Sequence, residues 1–432
     1  MVRGPSGPHR EEQAKRLHQK ESATGFRRDA VRVLFNGITL LKPKTGIAHA
    51  AANLHAALVA QYPADAFWLY PGPTAAKFAS RFFKSNPNPP AAPTNTKPSP
   101  LKRIKRLARK AAGVVARVGY RAHFLAAARF GRFDLYHEPN FVPYHTGLPL
   151  VVTIFDLSVL LFPQWHPAER VKAHEHAYTR GVALADHVIV GTEAVRAEAQ
   201  RHLGLSPDRV TAMLCGVGPQ FRPQTAEAVT ALRAKHGLPP RYTLYVGTIE
   251  PRKNIGMLLR AFCDLPPELR TACPLVLAGG WGWKTEAERE LFESEAKQKG
   301  ALHLGYLPDA DLPALYAGAD ALLYPSFYEG FGMPPVEAMA CGTAAVTSTA
   351  DAVREVVGRH ALTLDPNDLS GWRDVLKRIA ADREFLSDYR RRGPAHAATF
   401  TWEACARVTH GVYRKVLGLA EPDATSTRRA AA

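Results

Sequence analysis

The sequence predicts an α/β protein whose two doubly wound domains face each other across a cleft. Three observations lead to this prediction. The chain has 432 residues, which suits two domains of about 150–200 residues each better than one core. Short apolar runs of strand length alternate with helical patterns in both halves of the chain. Finally, 46% of the residues are apolar and 22% are charged, as in ordinary soluble domains.

The first half of the chain shows this alternation after a basic tail, residues 1–28, that is predicted to be disordered. The predicted elements are a strand over 31–37, a helix over 47–60 that Gly46 opens, strands over 134–137 and 150–155, a helix over 167–185, a strand over 187–191 and a helix over 192–202. A hinge over 221–234 would lead into the second domain. Gly46 lies in a strand-to-helix loop, where a missing Cβ permits close approach to a phosphate. His137 ends a strand, where α/β sites are built, although a lone histidine there is more often structural.

A basic segment interrupts the first half. Residues 85–100 are rich in Pro, Asn, Thr and Ala and predict a mobile linker. Residues 101–117 predict an amphipathic helix with a narrow apolar stripe and a dense Lys/Arg face. With a net charge of +17, the chain favours an anionic partner. An interfacial membrane helix is preferred over a solvated face, and nucleic acid is least favoured because stacking aromatics are not interleaved.

The second half opens with a strand, a polar loop and an amphipathic helix over residues 242–262. Arg252 and Lys253 stand directly before the helix, where the planar fork of arginine and the point charge of lysine can clamp an anion. A solvated basic loop is the plain alternative. The neighbouring carboxylate motif favours the clamp.

That motif spans residues 326–342 and follows a buried strand at 321–325. Its two carboxylates, Glu329 and Glu337, are eight residues apart, and the Gly-Phe-Gly-Met-Pro turn lies between them. Glycines allow backbone N–H groups to approach a ligand, and the helix after Met333 directs its positive end at an anion. The Glu spacing alone is common by chance. Together with the strand and turn, it suits a ligand with hydroxyls at both ends and phosphate in the middle, which describes a nucleotide-sugar.

Other features predict neither a metal site nor a bound cofactor. Asp309-Ala-Asp311 imitates an Asp-x-Asp metal motif, but it precedes a helix, where capping and the helix dipole explain it better. The five cysteines are scattered without Cys-x-x-Cys spacing, which predicts a reducing cytosol without disulfides or a metal cluster. The sequence contains neither a long apolar run nor a signal-peptide pattern, so we expect no membrane span and no leader.

The motifs carry a family resemblance. Residues 242–366 resemble the C-terminal half of retaining GT-B glycosyltransferases of family GT4, the glycosyl transferases group 1. The mannosyltransferase-like subgroup carries Gly-Thr-x-Glu-Pro-Arg-Lys-Asn, which is found here at 247–254. The resemblance is supported in the second half by the stretches 274–283, 304–312 and 315–320. In the first half it is supported by Thr45-Gly-Ile, His137-Glu-Pro-Asn and Thr153-Ile-Phe-Asp-Leu-Ser. The resemblance covers roughly residues 30–418.

The resemblance implies a GT-B fold with two Rossmann-like domains. Residues 29–225 would bind the acceptor, and residues 226–398 would bind the nucleotide-sugar. A C-terminal helix over 399–420 would cross back to the first domain. The implied enzyme is a metal-independent hexosyltransferase.

It also implies roles for individual residues. Arg252 and Lys253 would stabilise the leaving diphosphate in place of a metal ion, and His137 would hydrogen-bond the transferred sugar. Glu329 would hold sugar hydroxyls, while Glu337 would accept hydrogen bonds from the ribose diol. The remaining nucleotide-sugar-binding residues would be Gly46, Thr248, Tyr306, Gly330, Phe331, Gly332 and Met333.

The chain departs from the family at two positions. Ala48 replaces a frequent second glycine of the phosphate loop, and Phe155 replaces a frequent histidine before Asp156. The expected reaction moves mannose from GDP-mannose to a lipid-linked or cell-envelope acceptor, in the cytoplasm at the inner face of the membrane. The alternatives are another GT-B enzyme (a UDP-glucose-type transferase, a phosphorylase or an epimerase) and a non-catalytic saccharide-binding protein.

Overall fold

The computed structural model describes residues 30–41, 46–72, 118–140 and 142–420. Within these ranges the chain forms two six-stranded sheets whose paired strands run parallel, with helices packed against them. The α/β prediction with two doubly wound sheets is confirmed. The predicted tail 1–28, linker 85–100 and basic helix 101–117 lie outside the described residues.

The first sheet uses six strands from the first half of the chain, in the order β2-β1-β3-β4-β5-β6. Their bounds are β1 Arg32–Asn36, β2 Ala66–Tyr70, β3 Leu135–Glu138, β4 Leu150–Ile154, β5 His187–Val190 and β6 Val210–Ala212. The central strands β3, β4 and β5 are buried along their whole length. This is expected of parallel strands whose two faces are both covered by helices.

The second sheet has the order β12-β11-β10-β7-β8-β9. Its strands are β7 Thr243–Val246, β8 Leu275–Ala278, β9 Leu302–Gly305, β10 Ala321–Tyr324, β11 Ala345–Ser348 and β12 Leu362–Leu364. The neighbours β7 and β10 pair in parallel, so the loops after them leave the same edge of the sheet. Both of these loops carry the predicted site.

Helices connect the strands in both halves. Their bounds are α1 Gly46–Gln61, α2 118–130, α3 Ser158–Leu161, α4 Ala168–Ala177, α5 Glu193–Leu203, α6 Ala226–His236, α7 Ile255–Cys263, α8 Pro267–Ala272, α9 Glu286–Leu291, α10 Leu312–Ala317, α11 Met333–Ala340, α12 Asp351–Val357, α13 Leu369–Ala381, α14 Ser387–Ala397 and α15 Trp402–Leu417. Across the described ranges, none of these helices is both long and apolar enough to cross a membrane.

The predicted hinge over 221–234 is wrong from residue 226 onward, because α6 begins there. The Thr225 hydroxyl accepts a hydrogen bond from the Ala228 amide, which caps the helix, and Gly237 ends it in the left-handed region at φ 63°. Buried Leu232 packs into the core of the second sheet. The boundary at 225/226 therefore remains our proposal for the division between the domains.

The C-terminal helix α15 returns to the first sheet. His410 Nε2 lies 2.8 Å from Asp65 Oδ2, and its ring stacks on Tyr62 at 3.7 Å between centroids. The Tyr413 hydroxyl lies 2.5 Å from His137 Nδ1. The crossing helix predicted from the resemblance is thus observed, and it supplies part of the packing of the first half.

The two halves meet across a cleft through side chains and backbone. The Tyr328 hydroxyl donates to Glu198 Oε2 at 2.6 Å and accepts from the Leu157 amide at 3.1 Å. The carboxylate of Glu355 accepts hydrogen bonds of 2.8 and 2.9 Å from the first two amides of α5, where the helix dipole favours a negative charge. Contacts of this kind bring the loop after β10 against the first half.

Candidate active site

The loops after β7 and β10 build a buried ionic cluster. Pro251–Lys253 form one turn of 3₁₀ helix after β7, and Glu329 lies in the turn after β10. Since β7 and β10 are adjacent, parallel strands, their carboxyl-end loops lie side by side. The structure therefore brings together Arg252, Lys253 and Glu329, which the sequence places about eighty residues apart.

Each carboxylate oxygen of Glu329 has its own cation. Oε2 lies 2.5 Å from Nη1 of Arg252, and Oε1 lies 2.5 Å from Nζ of Lys253. Arg252 Nε is also paired with Glu250 Oε1 at 2.6 Å, and Lys253 donates to the Tyr324 hydroxyl at 3.0 Å. Glu329 is 5% exposed and Lys253 is 7% exposed. Glu250, Arg252, Lys253 and Glu329 thus form a cluster of four charged side chains from which water is largely excluded.

The electrostatics keep this cluster ionised. Burial alone would raise the pKa of Glu329, but attraction from Arg252 and Lys253 outweighs burial and lowers the pKa to about 2. The pKa of Lys253 is lowered, because burial and repulsion by Arg252 outweigh the attraction of Glu329. Burial also opposes the charge of Arg252, yet the surrounding carboxylates raise its pKa. Glu329 is therefore an anion throughout the neutral range.

This arrangement changes the predicted anion clamp. The sequence indicated two cations waiting for a phosphate, whereas each cation in the structure already binds a carboxylate. An anionic ligand would have to exchange places with Glu329 or share the cations with it. Spacing along the chain reveals the cations but not their partners.

The first half contributes Asp156, which the sequence assigns to the site only weakly because Phe155 replaces the histidine that is frequent before it. It follows β4, and its Oδ1 accepts from the Ser158 amide at 2.9 Å. Burial raises the pKa of Asp156, but attraction from Arg252 across the cleft and hydrogen bonds from Ser158 together outweigh burial, so the net shift is downward. The signal in the sequence was its position directly beyond the carboxyl end of a buried strand.

The glycine turn is shaped by contact between the halves. The carbonyl oxygen of Gly330 accepts from the Thr192 hydroxyl at 3.2 Å, and a Cβ at Gly191 would come within 2.8 Å of the same oxygen. A Cβ at Gly330 would overlap the carbonyl oxygen of Phe155. Backbone packing across the cleft therefore requires a glycine at position 330, in addition to the ligand approach that the sequence predicts.

The next residues start α11. Gly332 has φ 92°, a left-handed conformation that favours glycine. Phe331 is 6% exposed, and its ring packs edge-on against Phe400 at 5.9 Å. The Phe331 side chain therefore belongs to the core, which leaves only its backbone for a ligand. Met333 is partly buried at the first position of the helix.

Glu337 stands apart from the ionic cluster. It lies on α11, and its Oε2 accepts from the Tyr316 hydroxyl at 2.8 Å. Burial raises the pKa of Glu337 to about 7, and the nearby charge of Asp309 adds to the rise. Glu337 therefore changes charge near neutral pH, in contrast to Glu329.

The remaining predicted ligand contacts, which are Gly46, Thr248 and Tyr306, lie at the rim of the cleft. His49, in the first turn of α1, has its Nε2 3.4 Å from Asp309 Oδ1 across the cleft. Gly46 opens that helix, and a Cβ on it would meet nothing within 4 Å. Tyr306 is 51% exposed, and the Thr248 side chain is also exposed. These side chains are open to solvent, unlike those of the ionic cluster.

His137 does not join the site, which corrects the sequence analysis. Its ring is fully buried, with Nδ1 2.5 Å from the Tyr413 hydroxyl and Nε2 2.8 Å from Thr153 Oγ1. Burial lowers the pKa of His137 to about 3, so the ring is neutral. Both nitrogens already have protein partners, and the residue ties α15 to the first sheet. A strand-end position predicted exposure to the cleft, but the returning helix covers it.

The Asp-x-Asp motif has a different explanation from the one predicted. Asp311 occupies the N-cap position of α10, but its side chain makes no capping hydrogen bond and pairs instead with Lys235 at 2.8 Å and His236 at 2.9 Å. Two basic groups at the end of α6 compete better for the carboxylate than the helix amides do. In the part of the chain that the structure describes, no group of three or more His, Cys, Asp or Glu side chains is placed to hold a metal ion.

Comparison with known proteins gives concordant results. The profile of the family Glycosyl transferases group 1 matches residues 229–396. The chain is 36% identical over 281 residues to the O-antigen chain mannosyltransferase B of Escherichia coli, which covers 65% of this chain and 74% of that protein. It is 32% identical over 249 residues to the E. coli serotype-specific mannosyltransferase WbdA, covering 56% of this chain but only 30% of that longer protein.

Solved structures with the same fold include glycosyltransferases of low sequence identity. Sucrose-phosphate synthase from Thermosynechococcus elongatus matches with a TM-score of 0.63 at 20% identity, over 90% of this chain and 99% of the other. Anabaena HepE in complex with UDP and glucose matches with a TM-score of 0.63 at 18% identity, over 89% and 100% of the two chains. WaaG, a glycosyltransferase involved in lipopolysaccharide biosynthesis, also reaches 0.63, at 16% identity over 88% and 99%. With a GT-B fold, a matching family profile and a 36% identical relative, the chain belongs to the glycosyl transferases group 1 family.

Proposed function

We propose that this glycosyltransferase moves mannose from GDP-mannose to a saccharide acceptor, with retention of the anomeric configuration and without a metal ion. The observation that carries the proposal is the buried cluster of Glu250, Arg252, Lys253 and Glu329 at the carboxyl ends of β7 and β10. It combines a carboxylate for sugar hydroxyls with two cations for a diphosphate, at the edge of the sheet where α/β proteins bind ligands.

The names of the relatives favour mannose. The two E. coli proteins above are described as mannosyltransferases, one of an O-antigen chain. A UDP-sugar donor is the second candidate, because HepE has been solved in complex with UDP and glucose. The choice between donors depends on the nucleobase and the sugar, so a direct comparison of the two donors decides it.

The cluster suggests how the donor is bound. When the donor enters, hydroxyls of its sugar would donate hydrogen bonds to Glu329. These hydrogen bonds would weaken the ion pairs of Glu329 with Arg252 and Lys253. The two cations would then bind the diphosphate oxygens and stabilise the charge that develops as the diphosphate leaves. In a buried site such preorganised charges act strongly, and they take the part that a metal ion plays in other transferases.

Retention would follow from attack on the face from which the diphosphate departs. The bond from the anomeric carbon to the phosphate oxygen breaks, and the acceptor oxygen bonds to that carbon on the same side. The acceptor proton passes to the departing phosphate oxygen. No side chain is needed as the base, which agrees with a low pKa for Glu329, since so weak a base is a poor proton acceptor.

The remaining predicted contacts complete the proposal. The Gly330–Met333 amides would orient the sugar and phosphate at the start of α11, and Glu337 would accept hydrogen bonds from the ribose diol. Gly46, Thr248 and Tyr306 would lie along the nucleotide at the rim. We further propose that the basic segment 101–117 holds the enzyme at an anionic membrane surface on the cytoplasmic side, beside a lipid-linked acceptor.

The test is a comparison of donors. Thermal unfolding would be followed with GDP-mannose, UDP-glucose, GDP and UDP, since a ligand at 100 times its dissociation constant adds about 2.7 kcal/mol. Stabilisation by GDP-mannose together with transfer to a mannoside in EDTA supports the proposal. Stabilisation by UDP-glucose alone favours the second candidate. If activity is lost in EDTA and restored by Mg²⁺ or Mn²⁺, the metal-free mechanism is refuted.

A further inference from the structure

A second set of side chains lies in the cleft beside the ionic cluster. We call it the seam cluster, and its members are Trp165, His166 and Arg170 from the first half and Trp283 from the second. Trp165 and His166 lie between β4 and α4, Arg170 lies in the first turn of α4, and Trp283 follows β8. The indole Nε1 of Trp283 donates to the Trp165 carbonyl oxygen at 2.8 Å, which joins the two halves directly.

His166 is the unusual member. It is 2% exposed, and neither of its ring nitrogens has a hydrogen-bond partner among the described residues. Buried polar groups are almost always bonded, because leaving one unsatisfied costs about 1–3 kcal/mol. A buried histidine whose ring nitrogens lack hydrogen bonds destabilises the fold, so we interpret His166 as a group that binds a ligand.

The chemistry of the ring fits a hydroxyl. Burial and the charge of Arg170 lower the pKa of His166 to about 4, so the imidazole is neutral and offers one donor and one acceptor. A sugar hydroxyl offers the same pair. Arg170, whose buried Nε also lacks a partner among the described residues, adds further donors beside it.

Trp283 supplies an apolar platform next to these polar groups. The guanidinium of Arg170 lies over its ring at 4.4 Å, and the ring of His166 is 5.8 Å away. Planar guanidinium groups stack on aromatic faces, and the apolar face of a sugar ring can occupy the same position. An aromatic face with hydrogen-bonding groups at its edge is a binding arrangement suited to a pyranose.

The seam cluster also lies beside the reacting groups. The charges of Asp156 and Arg252 both act on His166. The ring of Trp165 stacks on Phe327 at 5.9 Å, two residues before Glu329. A saccharide bound here would therefore reach the sugar that Glu329 is proposed to hold.

We propose that the seam cluster is the subsite for the acceptor saccharide, in which His166 hydrogen-bonds a ring hydroxyl and Trp283 stacks on the sugar ring. This inference rests on the proposed glycosyl transfer. The acceptor sugar displaces the Arg170 guanidinium from the Trp283 face, and Arg170 then turns to its hydroxyls. Because His166 and Trp283 come from opposite halves, an acceptor bound here contacts both halves of the chain.

The experiment uses the full chain with α-linked mannobiose as acceptor probe and GDP-mannose as donor. Binding of each would be measured by titration calorimetry, and the acceptor KM by transfer. His166→Phe keeps the size of the ring and removes its hydrogen bonds, while His166→Asn keeps hydrogen bonding. Trp283→Leu removes the platform, and Trp281→Leu is its matched control, because Trp281 packs on Phe292 and His303 within the second half.

We expect His166→Phe and Trp283→Leu each to weaken mannobiose binding by about tenfold. His166→Asn should recover part of the loss, Trp281→Leu should bind as wild type does, and GDP-mannose binding should be unchanged in all four. His166→Phe should also raise the melting temperature, since it removes an unsatisfied polar group. Unchanged mannobiose binding in His166→Phe, a lowered melting temperature, or no mannobiose binding to wild type would overturn the inference. Failure of the donor to bind wild type would instead refute the proposed function.

Discussion

The two glutamates of the nucleotide-sugar motif are expected to respond oppositely to loss of charge. Glu329→Gln and Glu337→Gln each replace a carboxylate by an amide of the same shape. The pKa of Glu329 falls from 4.5 to about 2, while that of Glu337 rises from 4.5 to about 7. At 1.36 kcal/mol per pKa unit, each difference corresponds to roughly 3 kcal/mol of folding free energy, with opposite sign.

The pH windows follow from these directions. The folded state releases the Glu329 proton more readily than the unfolded state does, so this carboxylate contributes stability above about pH 4.5. The contribution is lost as the pH falls towards 2. Glu337 keeps its proton longer in the folded state, so stability is present below about pH 4.5 and is lost as the pH rises towards 7.

Urea unfolding of the two variants and wild type at about pH 5 and about pH 7.5 tests this reasoning. Glu329→Gln should cost roughly 3 kcal/mol at both pH values. Glu337→Gln should stabilise by up to roughly 3 kcal/mol at the higher pH and by under about 1 kcal/mol at the lower. If both substitutions shifted stability in the same direction, or if the Glu337→Gln effect were independent of pH, the electrostatic account of this site would be refuted.

Three further predictions concern rate, closure and membrane binding. Lys253→Ala should raise the barrier to transfer by about 2–4 kcal/mol, as expected for loss of one preorganised donor. The measurement is kcat/KM in EDTA, and an unchanged value would show that Lys253 takes no part in the mechanism. Gly330→Ala should force the halves apart, because the added methyl overlaps the Phe155 carbonyl, and should lower turnover on the order of 100-fold. Gly119→Ala is the control for substitution alone, because a Cβ at that position meets nothing within 4 Å. Charge reversal at Lys102, Arg103, Lys105 and Arg106 should abolish co-sedimentation with anionic vesicles, because each cation near such a surface contributes about 1 kcal/mol to membrane binding. Donor binding should not change. Equal vesicle binding of wild type and variant would contradict the membrane proposal.

The fold could be predicted from the sequence because alternation of buried strands and helices is a local pattern. The cluster of Arg252, Lys253 and Glu329 was also accessible, because each residue follows a strand and parallel strands end at one edge. What the pattern does not contain is the partner of each side chain. No local pattern indicates that Glu250 pairs with Arg252, so the sequence predicts cations without carboxylate partners.

The errors have a common physical origin in contacts between distant segments. His137 was expected at the cleft, but Tyr413, which lies 276 residues away, bonds its ring and covers it. The need for glycine at position 330, which the sequence predicts from ligand approach alone, also comes from the backbone at Phe155 and Gly191. His166 passed unnoticed because a histidine before a proline has no pattern of its own. Its unsatisfied nitrogens become visible only once its surroundings are known.

The return of α15 to the first sheet has a consequence for biosynthesis. Domains generally fold as units in the order in which they are translated, with the N-terminal unit first. Here the buried partners of His137 and Asp65 in the first half are Tyr413 and His410, which are made after the whole of the second sheet. On the ribosome, the first half must therefore wait in an incomplete state while the second half emerges. The half that is synthesised first therefore completes its packing only after the second half has been made.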